Sequence, residues 1–209
     1  MKNIISICFF LFIGMGVKAQ SGLYLRLEYY GNNLNIQWLY FTDSVVVRNP
    51  KFGVSPLQLE KELAENRQNV GKISARSNTK MALKWGNGIS QVVNIEFKNN
   101  DLSIFDRVAC SKAIPFQEST LDNKAFSGLG NFNNLSKDIS LFLGKDGKFI
   151  YEKKMGTGDI QKEEGIYTIT GNIIQFNYNN GKEWRAFVHT YDLVKQDIII
   201  DQQIFKGTK

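Results

Sequence analysis

Short runs of alternating apolar and polar residues, separated by turn-forming pairs, constrain the fold of this chain more than any other feature. A period of two is that of a β-strand with one face in a core and the other toward water. Regularly spaced short strands predict an all-β fold, either an antiparallel barrel or an open sandwich. The runs are Leu23–Tyr29, Met81–Trp85, Val93–Phe97, Ile139–Leu143, Tyr167–Ile169, Ile174–Tyr178 and Ile198–Ile200.

Turn signals stand between these runs. Asn87–Gly88 and Asn180–Gly181 are residue pairs that tolerate positive φ, and they predict type I′ hairpin turns. Asp146–Gly147, Gly171–Asn172 and Asn99–Asp101 are further turn sequences between apolar runs. Most strands are therefore expected to pair with their neighbours in the chain.

One segment predicts a helix, from about residue 56 to residue 67. Ser55 is a good N-cap, Pro56 suits the first helical position and Gln58 completes a capping box. Leu59 and Leu63 fall four apart, on one helical face. A single helix in a β chain is expected to plug an open barrel end or cover a sheet edge.

The two halves of the chain look related. Gly71–Asn78, with the run and turn that follow it, aligns with Gly165–Asn172 and its following run and turn. Duplication and coincidence both remain open, because hairpins share turn residues for physical reasons. We assign residues 20–112 to a first β-half with an inserted helix, 113–124 to a connector and 125–209 to a second β-half.

The first nineteen residues have the pattern of a secretory signal peptide. Lys2 precedes an apolar run over residues 4–17, and Val17–Ala19 ends in the small side chain that a signal peptidase reads. Cleavage after Ala19 predicts an exported protein, periplasmic or extracellular, without an integral membrane segment. Cys8 lies inside the apolar run, which argues against lipid attachment there.

The second half resembles the small lipocalin-like β-modules of many exported bacterial proteins, and the first half resembles a partner module that precedes them. The residues that carry this likeness are Leu141, Leu143, Asp146, Gly147, Phe149, Gly165, Ile166, Tyr167, Gly171, Asn172, Ile174, Phe176, Asn180, Gly181 and Ile198–Ile200. The resemblance implies tandem barrel-type modules. It implies no activity and no site residues.

Residues for chemistry are sparse. His189 is the one histidine, and after cleavage Cys110 would be the one cysteine, so the sequence offers no His/Cys metal cluster and no disulfide. No Gly-x-Ser-x-Gly motif provides a nucleophile for His189. Basic residues interleave with acidic ones, which argues against nucleic-acid binding. We therefore expect no cofactor and no enzymatic activity.

The aromatic residues are the best functional lead. Parity places Leu23, Leu25, Leu27 and Tyr29 toward the core, and Tyr24 and Tyr30 on the other face. The candidate binding surface consists of Tyr24, Tyr30, Trp38, Tyr40, Trp184 and His189.

These residues favour a non-enzymatic binding protein for a small apolar ligand or an envelope partner. A hydrolase acting on envelope or extracellular polymers, and a structural or inhibitory interaction protein, are the alternatives. An empty barrel interior would favour a ligand carrier, and a filled barrel with exposed aromatic residues would favour partner binding. We expect the halves to depend on each other for stability, with any site at their junction. The oligomeric state is left open.

Overall fold

The computed structural model describes residues 21–31, 33–54, 56–116, 124–128, 138–192 and 196–207. Their strands form two closed antiparallel barrels of eight strands each. This confirms the all-β prediction in two halves and selects the barrel over the open sandwich. Among the described residues, no helix is long and apolar enough to cross a membrane. The signal-peptide prediction, residues 1–19, lies outside the described residues.

The first barrel closes by pairing its first strand with its eighth. Its elements are β1 Gly22–Tyr30, β2 Asn33–Phe41, β3 Val45–Arg48, helix α1 Pro56–Glu65, a 3₁₀ turn Arg67–Asn69, β4 Val70–Arg76, β5 Lys80–Trp85, β6 Ser90–Lys98, β7 Asp101–Phe105 and β8 Val108–Lys112.

The second barrel closes in the same way, since its first strand pairs with both its second and its last. Its strands are β9 Lys124–Gly128, β10 Asp138–Leu143, β11 Lys148–Lys154, β12 Ile160–Thr170, β13 Ile173–Tyr178, β14 Glu183–Asp192, β15 Asp197–Ile200 and β16 Gln203–Gly207.

The fourth and fifth strands have the same local geometry in the two barrels. Gly71 of β4 lies opposite Trp85 of β5, and Gly165 of β12 lies opposite Tyr178 of β13. The N–H of each aromatic residue donates to the carbonyl four residues later, at 2.8 Å in both barrels. The segments that align in sequence thus form equivalent strands of the two barrels. Descent from a duplication stays a prediction.

The turns at Asn87–Gly88 and Asn180–Gly181 exist, but their predicted type I′ geometry is wrong. Only the glycine of each pair has positive φ, +90° and +83°, whereas type I′ needs it at both central residues. These loops are longer than two residues. Asn99 and Asn100 do form a two-residue turn between β6 and β7, with φ of 53° and 68°.

Both barrel interiors are filled by the side chains that the alternation predicted for most strands. A packed interior of this kind is what small eight-stranded barrels show when they enclose no ligand. The fully buried interior residues of the first barrel include Phe41, Met81, Leu83, Val93, Ile95 and Phe105. Those of the second include Phe126, Leu141, Leu143, Phe149, Ile174, Phe176 and Phe205.

The outer face of the first hairpin is buried against the second barrel. Leu23, Leu25 and Trp38 are 7%, 2% and 0% exposed, and they share one apolar cluster with Phe187 and Ile199. The second barrel therefore replaces water on this face. The apolar contact joins the halves, as we expected of barrels this small.

The prediction of which β1 side chains face the barrel interior is therefore wrong. Tyr24 and Arg26 line the interior of the first barrel, whereas Leu23 and Leu25 face the second barrel. Tyr29, expected in the core, is 64% exposed. Alternation does not reveal which face points inward when both faces are covered.

Helix α1 forms where predicted, but it lies on the outer wall of the first barrel. Leu59 and Leu63 pack against Val45, Val47 and Val70, on the side of β3 and β4 that faces away from the interior. The helix therefore covers a sheet face and not an edge or a barrel end. Ser55, the predicted N-cap, lies outside the described residues.

Candidate ligand-binding site at the barrel junction

Two residues of the predicted binding surface lie in barrel interiors. Tyr24 is fully buried in the first barrel, with its hydroxyl 3.5 Å from a carboxylate oxygen of Asp101. Trp184 is partly buried in the second barrel and stacks on Phe176, with 5.1 Å between ring centroids. The placement of Tyr24 on a surface is corrected, since its parity points it inward.

Three other predicted residues meet where the barrels join. The centroid of the Trp38 ring lies 5.1 Å from that of the Phe187 ring and 6.5 Å from that of the His189 ring. Its indole N–H donates to the backbone carbonyl of Asp201 in the second barrel. Tyr40 is partly buried between this apolar cluster and the one beneath α1. Trp38 is thus the centre of the junction.

The backbone around Trp38 is tightly held. The Asn49 side chain accepts from the Trp38 N–H at 2.8 Å, and the Asn49 N–H donates to the Trp38 carbonyl at 2.7 Å. Asn49, Gly53 and Asp201 all have positive φ, at 44°, 114° and 54°. Non-glycine residues in this region carry strain that the surrounding structure must support, and such positions cluster at binding sites.

A cleft of about 270 Å³ opens beside these residues and is lined by both barrels. Two cations and one acid supply its charge, and burial raises the pKa of the Asp201 carboxyl. The Arg185 guanidinium also donates to Gln175 at 3.1 Å. The lining residues are Asn49, Pro50, Lys51, Gly53, Ile173, Arg185, Ala186, Phe187, Asp201 and Gln202.

Lys51, Arg185 and Asp201 did not figure among the predicted site residues. Lys51 follows β3, Arg185 lies on β14 and Asp201 occupies the turn between β15 and β16. They are far apart in the chain, and only the expectation of a site between the halves pointed to this place. The packing of β1 and β2 on the second barrel brings them together.

Burial shifts the pKa values of both His189 and Cys110 so that the uncharged form of each is favoured. Burial lowers the pKa of the His189 imidazole, and its ring packs edge-on against Trp38. Burial raises the pKa of the Cys110 thiol to about 12, so the thiol stays protonated at neutral pH. In the part of the chain that the structure describes, no group of three or more His, Cys, Asp or Glu residues could hold a metal ion.

An exposed tyrosine pair, Tyr29 of β1 and Tyr191 of β14, lies at one end of the junction. These two residues are 64% and 38% exposed. Their hydroxyl oxygens are 3.3 Å apart and join the first barrel to the second. Tyr30, of the predicted binding surface, is 60% exposed but lies on the opposite face of β1 from Tyr29, the face that carries Arg26 and Glu28.

Comparison of the chain with protein-family models, curated proteins and solved structures returns no match. The resemblance to lipocalin-like modules stays a prediction.

Proposed function

We propose that this chain is an exported, non-enzymatic binding protein that holds a small, largely apolar molecule with one acidic group at the barrel junction. The observation that carries the proposal is the two-barrel cleft, in which Pro50, Ile173 and Phe187 offer apolar contact beside Lys51 and Arg185. Sites that combine apolar walls with a few polar groups are typical of small-molecule binding. The signal peptide predicted over residues 1–19 supports a place outside the cytoplasm.

The filled interiors support a site outside the barrels. Large aromatic side chains such as Phe149 and Phe176, each 1% exposed, occupy the second barrel where a lipocalin-type ligand would otherwise lie. The junction is the alternative position, since clefts between packed units commonly serve as binding sites.

The charge of the cleft supports an acidic ligand. Lys51 and Arg185 outnumber Asp201, whose raised pKa reflects its burial among the cleft residues. A guanidinium or ammonium that pairs with a carboxylate forms a charge-assisted hydrogen bond, roughly twice as strong as a neutral one. The hydrogen bonds between Asn49 and Trp38 fix the backbone next to Lys51 before the ligand arrives, and Gln175 accepts from the Arg185 guanidinium at 3.1 Å.

The test is a titration with naphthoate, a bicyclic ring that carries one carboxylate, followed through backbone amide resonances by NMR. We expect the amides of Gly53, Phe187 and Asp201 to shift together. Lys51→Glu/Arg185→Glu should weaken naphthoate binding by about tenfold or more, since two charge-assisted contacts become repulsive.

The matched control reverses two exposed cations outside the cleft lining, in Lys80→Glu/Lys154→Glu. It should bind naphthoate as wild type does. If the cleft amides do not shift, or both double variants bind equally, the junction is not the ligand site.

The tyrosine pair favours a second candidate function, the binding of an envelope protein partner. Tyrosine is enriched at the centres of protein interfaces, and Tyr29 and Tyr191 are exposed side by side. A photo-crosslinking residue at Tyr29 should give a discrete adduct in intact cells, while the same residue at the exposed Ile89 of the first barrel should not. Equal labelling at both positions would contradict a specific interface.

A further inference from the structure

The cleft at the barrel junction, which we call the junction cleft, holds charges of both signs that do not pair with each other. Lys51, Arg185 and Asp201 all line it. None of the three forms an ion pair with any residue that the structure describes. The junction cleft therefore constrains a cationic group of its ligand as well as an acidic one.

The sheet register explains why Arg185 and Asp201 stay apart. The Asp201 N–H donates to the Phe187 carbonyl at 2.8 Å, which continues the β14–β15 register and sets Asp201 opposite Phe187. Arg185 is on the same face of β14, two residues before Phe187, so its Cα lies diagonally from that of Asp201 at roughly 7–8 Å. Gln175, on the other side of β14, accepts from the Arg185 guanidinium at 3.1 Å and holds it away from Asp201.

The main chain of Asp201 is engaged on both sides, but its carboxylate is not. The Asp201 N–H donates to Phe187, and the Asp201 carbonyl accepts from the indole N–H of Trp38. Within the described part of the chain, no residue donates a hydrogen bond to the carboxylate. Burial raises the pKa of this carboxyl, because desolvation disfavours its charged form. A cation brought into the junction cleft would pair with the carboxylate and offset that cost.

The turn between β15 and β16 does not require an acid at this position. The φ of Asp201 is 54°, a conformation that Asn and Gly also adopt, without a charge. Asn would keep the main-chain contacts to Phe187 and Trp38 and would remove the cost of a partly buried carboxylate. The contacts that hold the fold therefore do not explain the charge of Asp201, whereas a cationic ligand group would.

An apolar row lies next to these charges. Ile173 of β13 is opposite Phe187 of β14, so Ile173, Phe187 and Asp201 follow one another across the outer face of the second barrel. Phe187 is buried against the Trp38 ring, and Ile173 is the more exposed of the two. The volume of about 270 Å³ is near the lower end of small-molecule pockets, which suits a single small molecule with a short apolar part.

We propose that the junction cleft binds a free α-amino acid with an apolar side chain, its ammonium group on Asp201, its carboxylate on Lys51 and Arg185, and its side chain on Ile173. This inference rests on the proposed function and narrows the class of ligand. An α-amino acid carries both charges on one carbon, and each end would form a charge-assisted hydrogen bond. A monocarboxylic acid without an amine would leave the Asp201 carboxylate unpaired beside a second acid.

Four probes separate the two charged ends of the ligand. They are phenylalanine, 3-phenylpropionate without the ammonium group, phenethylamine without the carboxylate, and N-acetylphenylalanine, whose nitrogen is an uncharged amide as in a peptide. Each is titrated into the protein at neutral pH and followed through the amide resonances of Gly53, Phe187 and Asp201. We expect phenylalanine to bind at least about tenfold more tightly than any of the other three. Equal binding of N-acetylphenylalanine would indicate the carboxyl end of a peptide and overturn the proposal.

Asp201→Asn tests the contact with the ammonium group. It should weaken phenylalanine binding by about tenfold or more and bring it within about threefold of 3-phenylpropionate binding, because Asn keeps the turn but not the charge. Asp159→Asn, which changes an exposed acid outside the cleft lining, is the matched control and should keep the preference for phenylalanine. Thermal melting checks that each variant is folded, and the four probes on the wild-type protein keep the proposal testable if Asp201→Asn is not.

The outcomes distinguish this inference from the proposed function. If 3-phenylpropionate shifts the cleft amides and binds as tightly as phenylalanine, the junction cleft takes a simple carboxylic acid, so the proposed function stands and the amino-acid inference is wrong. A preference for phenylalanine that survives in folded Asp201→Asn would also contradict the inference, since the ammonium group would then lie elsewhere. If neither these probes nor naphthoate shift the cleft amides, both proposals fail.

Discussion

The two barrels share one strand order, but their interiors differ at one end. The second barrel is lined with aromatic side chains, and its Phe149 ring contacts the Phe176 and Tyr178 rings edge to face. The first barrel has an apolar middle, but a polar network occupies the end near Arg26 and Arg48.

That network is incompletely satisfied. The Arg26 guanidinium contacts Gln37 at 3.0 Å and Glu28 at 3.2 Å, but its Nε atom and that of Arg48 are buried without a hydrogen-bond partner. Burial, with a smaller contribution from the nearby Arg26 charge, lowers the pKa of Arg48. Such an end costs stability in comparison with an apolar one. We therefore expect the first barrel to be the less stable of the two.

The contact that joins the barrels is expected to give the largest effect. Trp38→Ala should cost about 3–5 kcal/mol, as typical for a buried large aromatic residue. It should also split unfolding into two transitions, because Trp38 joins the barrels through Phe187 and the Asp201 carbonyl. Trp184→Ala, inside the second barrel, should keep a single transition. Calorimetry gives the number of unfolding transitions, and urea denaturation gives the loss of unfolding free energy. One unchanged transition in Trp38→Ala would show that the barrels are joined by other contacts.

Gly71 and Gly165, which occupy equivalent positions in the two barrels, give the next largest expected effect. A Cβ at Gly165 would lie 2.0 Å from the Asn177 backbone carbonyl oxygen, whereas one at Gly71 would lie 3.1 Å from the Trp85 ring. Main chain yields less readily than a ring, so Gly165→Ala should cost about 3 kcal/mol and Gly71→Ala about 1 kcal/mol. Urea midpoints test the order, and an equal loss in both variants would show that the two hairpins are not packed as described.

Two lysines that lie opposite each other, Lys72 of β4 and Lys84 of β5, predict a gain in stability. Like charges at directly opposed positions of a sheet destabilise it, so Lys84→Glu should stabilise the protein by about 0.2–1 kcal/mol. Lys80→Glu, opposite the neutral Asn94, is the matched control and should change stability less. A loss of stability in Lys84→Glu, measured by thermal melting, would argue that the two ammonium groups do not repel.

The smallest expected effect is a pH dependence of the unfolding free energy that comes from His189 at the junction. Because burial lowers the pKa of His189, the unfolded state takes up a proton first as the pH falls below the ordinary value of about 6.5. The stability tied to His189 is therefore fully present above that pH and declines below it. His189→Gln should therefore reduce the loss of unfolding free energy that begins near pH ~6.5 and continues as the pH falls further. A profile identical to that of wild type would assign the slope to other groups.

Much of the fold could be predicted from the sequence, because water covers one face of most strands. Met81, Leu83 and Trp85 face inward as their alternation indicates. Leu23 and Leu25 are exceptions, since the outer face of β1 packs against the second barrel. Nothing in the sequence of β1 indicates that contact. The helix was found from its leucine spacing, but its place on a sheet face depends on Val45 and Val47, which precede it in the chain.

The sites were harder to predict for a similar reason. Lys51, Arg185 and Asp201 share a cleft only after the barrels pack together.

The two barrels form one stable unit through the apolar face of β1 and β2. Separate expression of residues 20–112 and 113–209 tests this dependence, and the second piece keeps Phe116, which packs in the core of the second barrel. Separation would expose Leu23, Leu25, Ile36 and Trp38, so we predict that the first piece aggregates or lacks cooperative unfolding and is rescued by co-expression with the second. Cooperative unfolding and dispersed amide spectra from both isolated pieces would instead show that each barrel folds on its own.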